Sequence, residues 1–152
     1  MNSRKSLKWC RQHQDCHNPE RLCQDLESDF HAFKQLKKKY PSKYRVVRYE
    51  DFALDLKKNS RRVLEFYGLP IHNNLETYLD SHTSKDPKHK DPAKTNRDSK
   101  KTPFLWRSQM TIREILKVQA SCRNALSLWG YNLYSAENNI SEFNPMNNKP
   151  SF

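Results

Sequence analysis

The chain has 152 residues, enough for one domain or a piece of a larger one, and carries 28 Lys and Arg against 17 Asp and Glu, a formal charge of +11. Hydrophobic residues make up 35% and mean hydropathy is −1.07, too low for an evenly spread core, so folding must rest on a few apolar segments. Only two glycines are present, which excludes a glycine-rich phosphate cradle from these residues; no apolar run is long enough to span a bilayer or form the core of a signal peptide.

Residues 1–17 are polar and basic. Cys10, His13, Cys16 and His17 cluster here, yet their spacing matches no ordinary zinc finger, and no metal site is expected. Asn18-Pro19-Glu20 reads as a helix start: an N-cap, proline at the first helical position and an acid in the first turn. Leu22, Leu26, Phe30, Phe33 and Leu36 recur at helical spacing, the pattern of core packing. Lys37, Lys38 and Lys39 then suit the negative end of the helix dipole, and Pro41 stops the helix.

Tyr44-Arg45-Val46-Val47-Arg48-Tyr49 is the clearest strand candidate, rich in β-branched and aromatic residues. Adjacent Val46 and Val47 predict that both faces are covered, as in an α/β sheet. Arg48, Tyr49, Glu50 and Asp51 crowd its C-terminal end. That is where open α/β sheets bind ligands, although Arg48 and the carboxylates read equally as a structural ion pair. Leu56, Val63, Leu64 and Tyr67 predict a second helix closed by Gly68, and a shorter one runs from Asn74 to about Asp80. Residues 81–105 read as a long basic loop, with Lys85, Lys88, Lys90 and Lys94 as a solvated face. Thr111-Ile112-Arg113-Glu114 is a capping box that opens a helix with apolar positions through Trp129 and ends at Gly130. Residues 135–152, rich in Asn, Ser and Pro, read as a disordered tail. Asn139-Ile140-Ser141 within it is a glycosylation sequon, meaningful only in the secretory lumen.

Arg48-Tyr49-Glu50-Asp51, followed by a helix ending Phe66-Tyr67-Gly68-Leu69-Pro70, resembles the sulfotransferase fold, and in particular the Golgi carbohydrate 6-O-sulfotransferases that act on galactose, N-acetylglucosamine or N-acetylgalactosamine. Thr95-x-Arg97-x-Ser99 with Trp106-Arg107 resembles that family's loop over the nucleotide 3′-phosphate. Val118-Gln119-x-x-Cys122 and Gly130-Tyr131 resemble its last helix and end. The resemblance implies an α/β fold: the C-terminal part of a P-loop-like three-layer domain, mostly helical here, with one central parallel strand at about 44–49. The domain would cover 18–134, between the basic segment 1–17 and the tail 135–152. It implies 3′-phosphoadenosine 5′-phosphosulfate (PAPS) as co-substrate, held by Tyr49 and Thr83 at the adenine and by Arg97 and Ser99 at the 3′-phosphate, with no metal.

The same resemblance implies sulfate transfer to a glycan or glycosaminoglycan 6-hydroxyl in the intact protein, on the luminal side of the Golgi membrane. In the family an N-terminal helix supplies the anchor. The departures are that the first strand, the 5′-phosphosulfate loop and an Arg/Ser pair have no counterpart here, Trp129 replaces an aliphatic residue, and no catalytic base carries over. The expectation is therefore an incomplete part, inactive by itself. Four cysteines allow three pairings, and in a Golgi lumen disulfides such as Cys10–Cys16 or Cys23–Cys122 are implied; in cytosol all four would stay reduced. The rival reading is a basic module that binds nucleic acid or another polyanion without catalysis. It rests on the +11 charge and on 11% aromatic residues. No nucleic-acid recognition motif supports it, and a glycan-binding Golgi protein without catalysis is a third reading.

Overall fold

The computed structural model of the chain describes residues 8–83 and 97–146, which divide into two compact units. One comprises the residues up to Arg45 together with those from Trp106 onward; the other is Val46–Leu105.

In the first unit, α1 (Lys8–Gln12) and a short 3₁₀ turn at Gln14–Cys16 precede α2 (Pro19–Lys39). The Asn18 side chain accepts hydrogen bonds from the backbone N–H groups of Glu20 and Arg21 at 3.0 and 3.3 Å, satisfying two of the donors that a helix start leaves open. Beyond the helix, Lys37 Nζ donates to the carbonyls of Pro41 and Tyr44, tying the following segment to its last turn. After the short α6 (Trp106–Gln109) comes α7 (Ile112–Leu128). The capping box forms as the sequence predicts: Glu114 N–H donates to Thr111 Oγ1 and Thr111 N–H to the Glu114 carboxylate.

Helices α2 and α7 pack together around the Cys23–Cys122 disulfide, with Ala125 buried beside it and Val118 and Leu126 against the cluster. Phe30 is buried and meets the Trp129 ring edge-on at 5.3 Å, while Trp129 Nε1 donates to the Leu26 carbonyl at 2.9 Å. Of the three pairings that four cysteines allow, the one present joins Cys10 to Cys16 and Cys23 to Cys122. A disulfide cysteine has no free thiolate for a metal, and no metal-ligand cluster occurs among the described residues.

Residues 135–146, read from composition as disordered, instead form hydrogen-bonded turns. Gln119 brackets the backbone of buried Tyr134: its Nε2 donates to the Tyr134 carbonyl and its Oε1 accepts the Tyr134 N–H. Tyr131 and Met146 form an isolated antiparallel bridge, and Arg107 Nη1 donates to the Ser141 carbonyl at 3.1 Å. Composition reads a loop because the Asn and Ser residues favour local turns, and those turns do form, at 135–138 and 139–143; what composition leaves out is the tie from Arg107 to the Ser141 carbonyl. Residues 147–152 lie outside the described residues.

The second unit carries α3 (Tyr49–Leu54), α4 (Leu56–Phe66), α5 (Leu75–Thr83) and a 3₁₀ turn at Thr102–Phe104. The strand expected at 44–49 is not formed, and no strand occurs among the described residues. Residues 44–48 carry no regular structure, Val47 is 47% exposed, and the helix already begins at Tyr49. Extended Arg48 (φ −78°, ψ 133°) is the N-cap of α3, and its carbonyl accepts the Phe52 N–H at 3.0 Å. Strand propensity takes effect through cross-strand neighbours, and without a partner strand the run stays an extended lead-in to a helix. Both glycines close helices in the left-handed conformation, Gly68 at φ 65° and Gly130 at φ 74°. Residues 81–83, expected to open the long loop, belong instead to α5, which runs through Thr83; residues 84–96, including most of the basic run and Thr95, lie outside the described residues.

Candidate functional site

The four residues expected to hold a nucleotide, Tyr49, Thr83, Arg97 and Ser99, all belong to the Val46–Leu105 unit. Each is placed by local structure. Tyr49 opens α3, whose first turn is fixed by Arg48. That guanidinium is largely buried and forms a two-pronged pair with Asp51, Nε to Oδ2 at 2.7 Å and Nη2 to Oδ1 at 3.1 Å. Arg48 and Asp51 are thus a structural pair. Tyr49 is 57% accessible and is not part of that pair.

Arg97 is in electrostatic reach of the Tyr49 hydroxyl. Partial burial first, then the Glu50 carboxylate, push the phenol above its usual range, with Arg97 opposing them. Tyr49 is therefore neutral at physiological pH. Its aromatic face is intact and its hydroxyl retains its proton.

Thr83 and Ser99 line one cavity of about 580 Å³, within the size range of ligand sites. Its other walls come from the end of α3, the start of α4 and the end of α5, with Lys100 beside Ser99: Leu54, Leu56 and Leu79 supply apolar surface, and Asp55, Lys57, Asp80 and Lys100 supply charge. Thr83 Oγ1 donates back to the Leu79 carbonyl at 2.8 Å, so toward a ligand the hydroxyl is an acceptor. Ser99 sits in a turn organised by Asp98, whose Oδ1 accepts from the backbone N–H groups of Lys100 and Lys101 and whose carbonyl accepts from Thr102 Oγ1 at 2.7 Å. Tyr49 and Arg97 do not line this cavity.

The resemblance does not point to the charged clamp between α4 and α5. Lys57 Nζ lies 2.9 Å from Asp80 and 3.9 Å from Glu76, and Arg61 Nη2 lies 2.7 Å from Glu76. The Asp80 hydrogen bond foremost, with the charges of Asp80 and Glu76, raises the Lys57 pKa; the Arg61 hydrogen bond and charge, then Lys57, lower that of Glu76. A signal was available in the sequence: Lys57 and Arg61 stand four apart on one helix, Glu76 and Asp80 four apart on the next. The clamp orients the ends of α4 and α5 that form the cavity wall, with Lys57 protonated at its edge.

A family model described as "Sulfotransferase domain" matches residues 20–130. Rat carbohydrate sulfotransferase 1 is 28% identical over 122 residues, covering 78% of this chain and 29% of the rat protein. The human carbohydrate sulfotransferase 1 is 30% identical over 101 residues, 64% of this chain and 24% of its own length. Mouse carbohydrate sulfotransferase 5 reaches 34% over 98 residues, 62% of this chain and 25% of the mouse protein. The chain thus spans less than a third of the curated relatives it matches. No solved structure matches it.

Proposed function

Since this chain belongs to the sulfotransferase domain family, we propose that its Val46–Leu105 unit is the adenine and 3′-phosphate side of a PAPS site. The observation that supports the reading is that the four candidate residues fall in one unit as two pairs, Tyr49 in electrostatic reach of Arg97 and Thr83 sharing a cavity with Ser99. The neutral, exposed ring of Tyr49 stacks on the adenine. Thr83 Oγ1, already donating to Leu79, accepts from the exocyclic amine of the base. The Arg97 guanidinium offers a planar fork to the 3′-phosphate, and the Ser99 hydroxyl adds a donor.

In the whole protein the proposed chemistry is sulfuryl transfer from PAPS to a sugar 6-hydroxyl of a glycan or glycosaminoglycan, on the luminal side of the Golgi. A base takes the hydroxyl proton while cations stabilise the charge developing on the phosphate oxygen that leaves. The relatives' names support a carbohydrate acceptor, and two disulfides agree with an oxidising lumen. These residues include no glycine-rich cradle for the 5′-phosphosulfate, having two glycines in all, each closing a helix. The 152-residue polypeptide alone therefore binds the adenosine side without transferring sulfate.

Titration calorimetry of this polypeptide with 3′-phosphoadenosine 5′-phosphate tests the reading. Saturable binding is expected, weaker by about fivefold to a hundredfold in Tyr49→Ala, because a base–aromatic stack contributes about 1–3 kcal/mol. The +11 charge favours one other reading, a polyanion-binding module. Steeply salt-dependent binding of heparin or nucleic acid, with no nucleotide binding, would establish that reading instead.

A further inference from the structure

Asn139-Ile140-Ser141 is the one Asn-x-Ser/Thr sequence in the 152 residues, and its middle position is not proline, as acceptance of an N-linked glycan requires. Asn139 and Ser141 are both exposed. The Asn139 Oδ1 accepts from the Ser141 backbone N–H at 3.1 Å and from Ser141 Oγ at 2.8 Å. Its Nδ2 makes no hydrogen bond among the described residues.

The turn is held by its backbone. The Asn139 carbonyl accepts from the N–H groups of Glu142 and Phe143 at 3.1 and 2.9 Å, and the Phe143 ring meets buried Tyr134 edge-on at 5.5 Å. A substituent on Nδ2 thus displaces no packing and breaks no hydrogen bond. The compartment is indicated separately: all four cysteines are joined in disulfides, the state expected where the oxidising secretory lumen also holds the glycosylation machinery.

We propose that Asn139 is an N-glycosylation site. In the step, Asn139 Nδ2 attacks the anomeric carbon of an oligosaccharide carried on a polyprenyl pyrophosphate. The N–C bond forms and the C–O bond to the pyrophosphate breaks. The lipid pyrophosphate leaves with the electron pair, and a transferase carboxylate takes the amide proton. This assignment uses no residue of the nucleotide reading and stands or falls without it.

The test is expression of the full chain behind a cleavable signal peptide in cultured mammalian cells, followed by peptide N-glycosidase treatment of the protease-protected luminal fraction. One discrete mobility step, removed by the enzyme, is expected for the wild type and for Ser141→Thr, and none for Asn139→Gln or Ser141→Ala. The enzyme should convert Asn139 to aspartate, a change read by peptide mass spectrometry. Protease-protected wild-type chain without the step overturns the proposal, as does a step that persists in Asn139→Gln.

Discussion

Removing the Cys23–Cys122 disulfide should destabilise the first unit by about twice as much as removing Cys10–Cys16. The long bridge joins residues 99 apart in sequence, the short one residues 6 apart. Cross-linking lowers unfolded-chain entropy with the logarithm of loop length, giving about 5 kcal/mol for the first loop and about 2 kcal/mol for the second. Unfilled core space weighs on both double alanine variants, since Cys23 and Cys122 are 4% and 2% exposed and Cys10 is 0% exposed, so the difference between them rests on the loop term. Urea unfolding followed by tryptophan fluorescence reads this unit selectively, because Trp9, Trp106 and Trp129 all belong to it. At a slope of about 2 kcal/mol per molar urea, the Cys23→Ala/Cys122→Ala midpoint should fall by about 2 M, and the Cys10→Ala/Cys16→Ala midpoint by about 1 M. Unfolding of the former in plain buffer sets a lower bound that agrees with the estimate, given typical total stabilities of about 5–15 kcal/mol. If the short-loop variant loses as much as the long-loop one, the loop argument is refuted.

Three other outcomes follow from the packing. Phe30→Ala removes a side chain that is 2% exposed and stacked edge-on against Trp129, and should cost about 3–5 kcal/mol in the same urea assay. Thr111→Ala breaks the capping box at the start of α7 and should cost about 1 kcal/mol, with earlier hydrogen exchange in that first turn. The α4–α5 clamp should have a bounded pH window. The folded Glu76 pKa lies below its ordinary 4.5, so its contribution is present above that value and lost as pH falls through the folded pKa. The folded Lys57 pKa lies above its ordinary 10.5, so its contribution is present below that value and lost as pH rises through the folded pKa. Hydrogen exchange of α5 amides should show both limbs, Glu76→Gln abolishing the acid one and Lys57→Met the alkaline one; salt should weaken both.

What the sequence reveals of this molecule is what is decided within four residues. The Asn18 cap, the Thr111–Glu114 box and the left-handed Gly68 and Gly130 are each fixed by neighbours along the chain, and each forms as read. The 44–49 segment fails for the opposite reason: a strand is defined by a partner, and valine content says nothing of whether one is there. The segment 135–146 has a loop-like composition and forms local turns, but its tie to Arg107, 34 residues from the Ser141 carbonyl it holds, is not written in neighbouring residues. In the candidate site, motif resemblance selects Tyr49, Thr83, Arg97 and Ser99, while composition gives only a preference for anions. Lys57 escapes notice because its carboxylate partner lies 23 residues away on the next helix. The cysteines leave three pairings open on the sequence, and helix packing selects between them.

Arg97 is the residue proposed to recognise a nucleotide 3′-phosphate. Calorimetric affinities of the chain for 3′-phosphoadenosine 5′-phosphate and for adenosine 5′-phosphate, compared between wild type and Arg97→Ala, test that role most directly. Wild type should favour the 3′-phosphorylated nucleotide by about tenfold to a hundredfold, the size of a charge-assisted hydrogen-bond pair, and Arg97→Ala should erase that preference while leaving the affinity for adenosine 5′-phosphate unchanged. Equal affinity of the wild type for the two nucleotides, or a preference that survives Arg97→Ala, would contradict it.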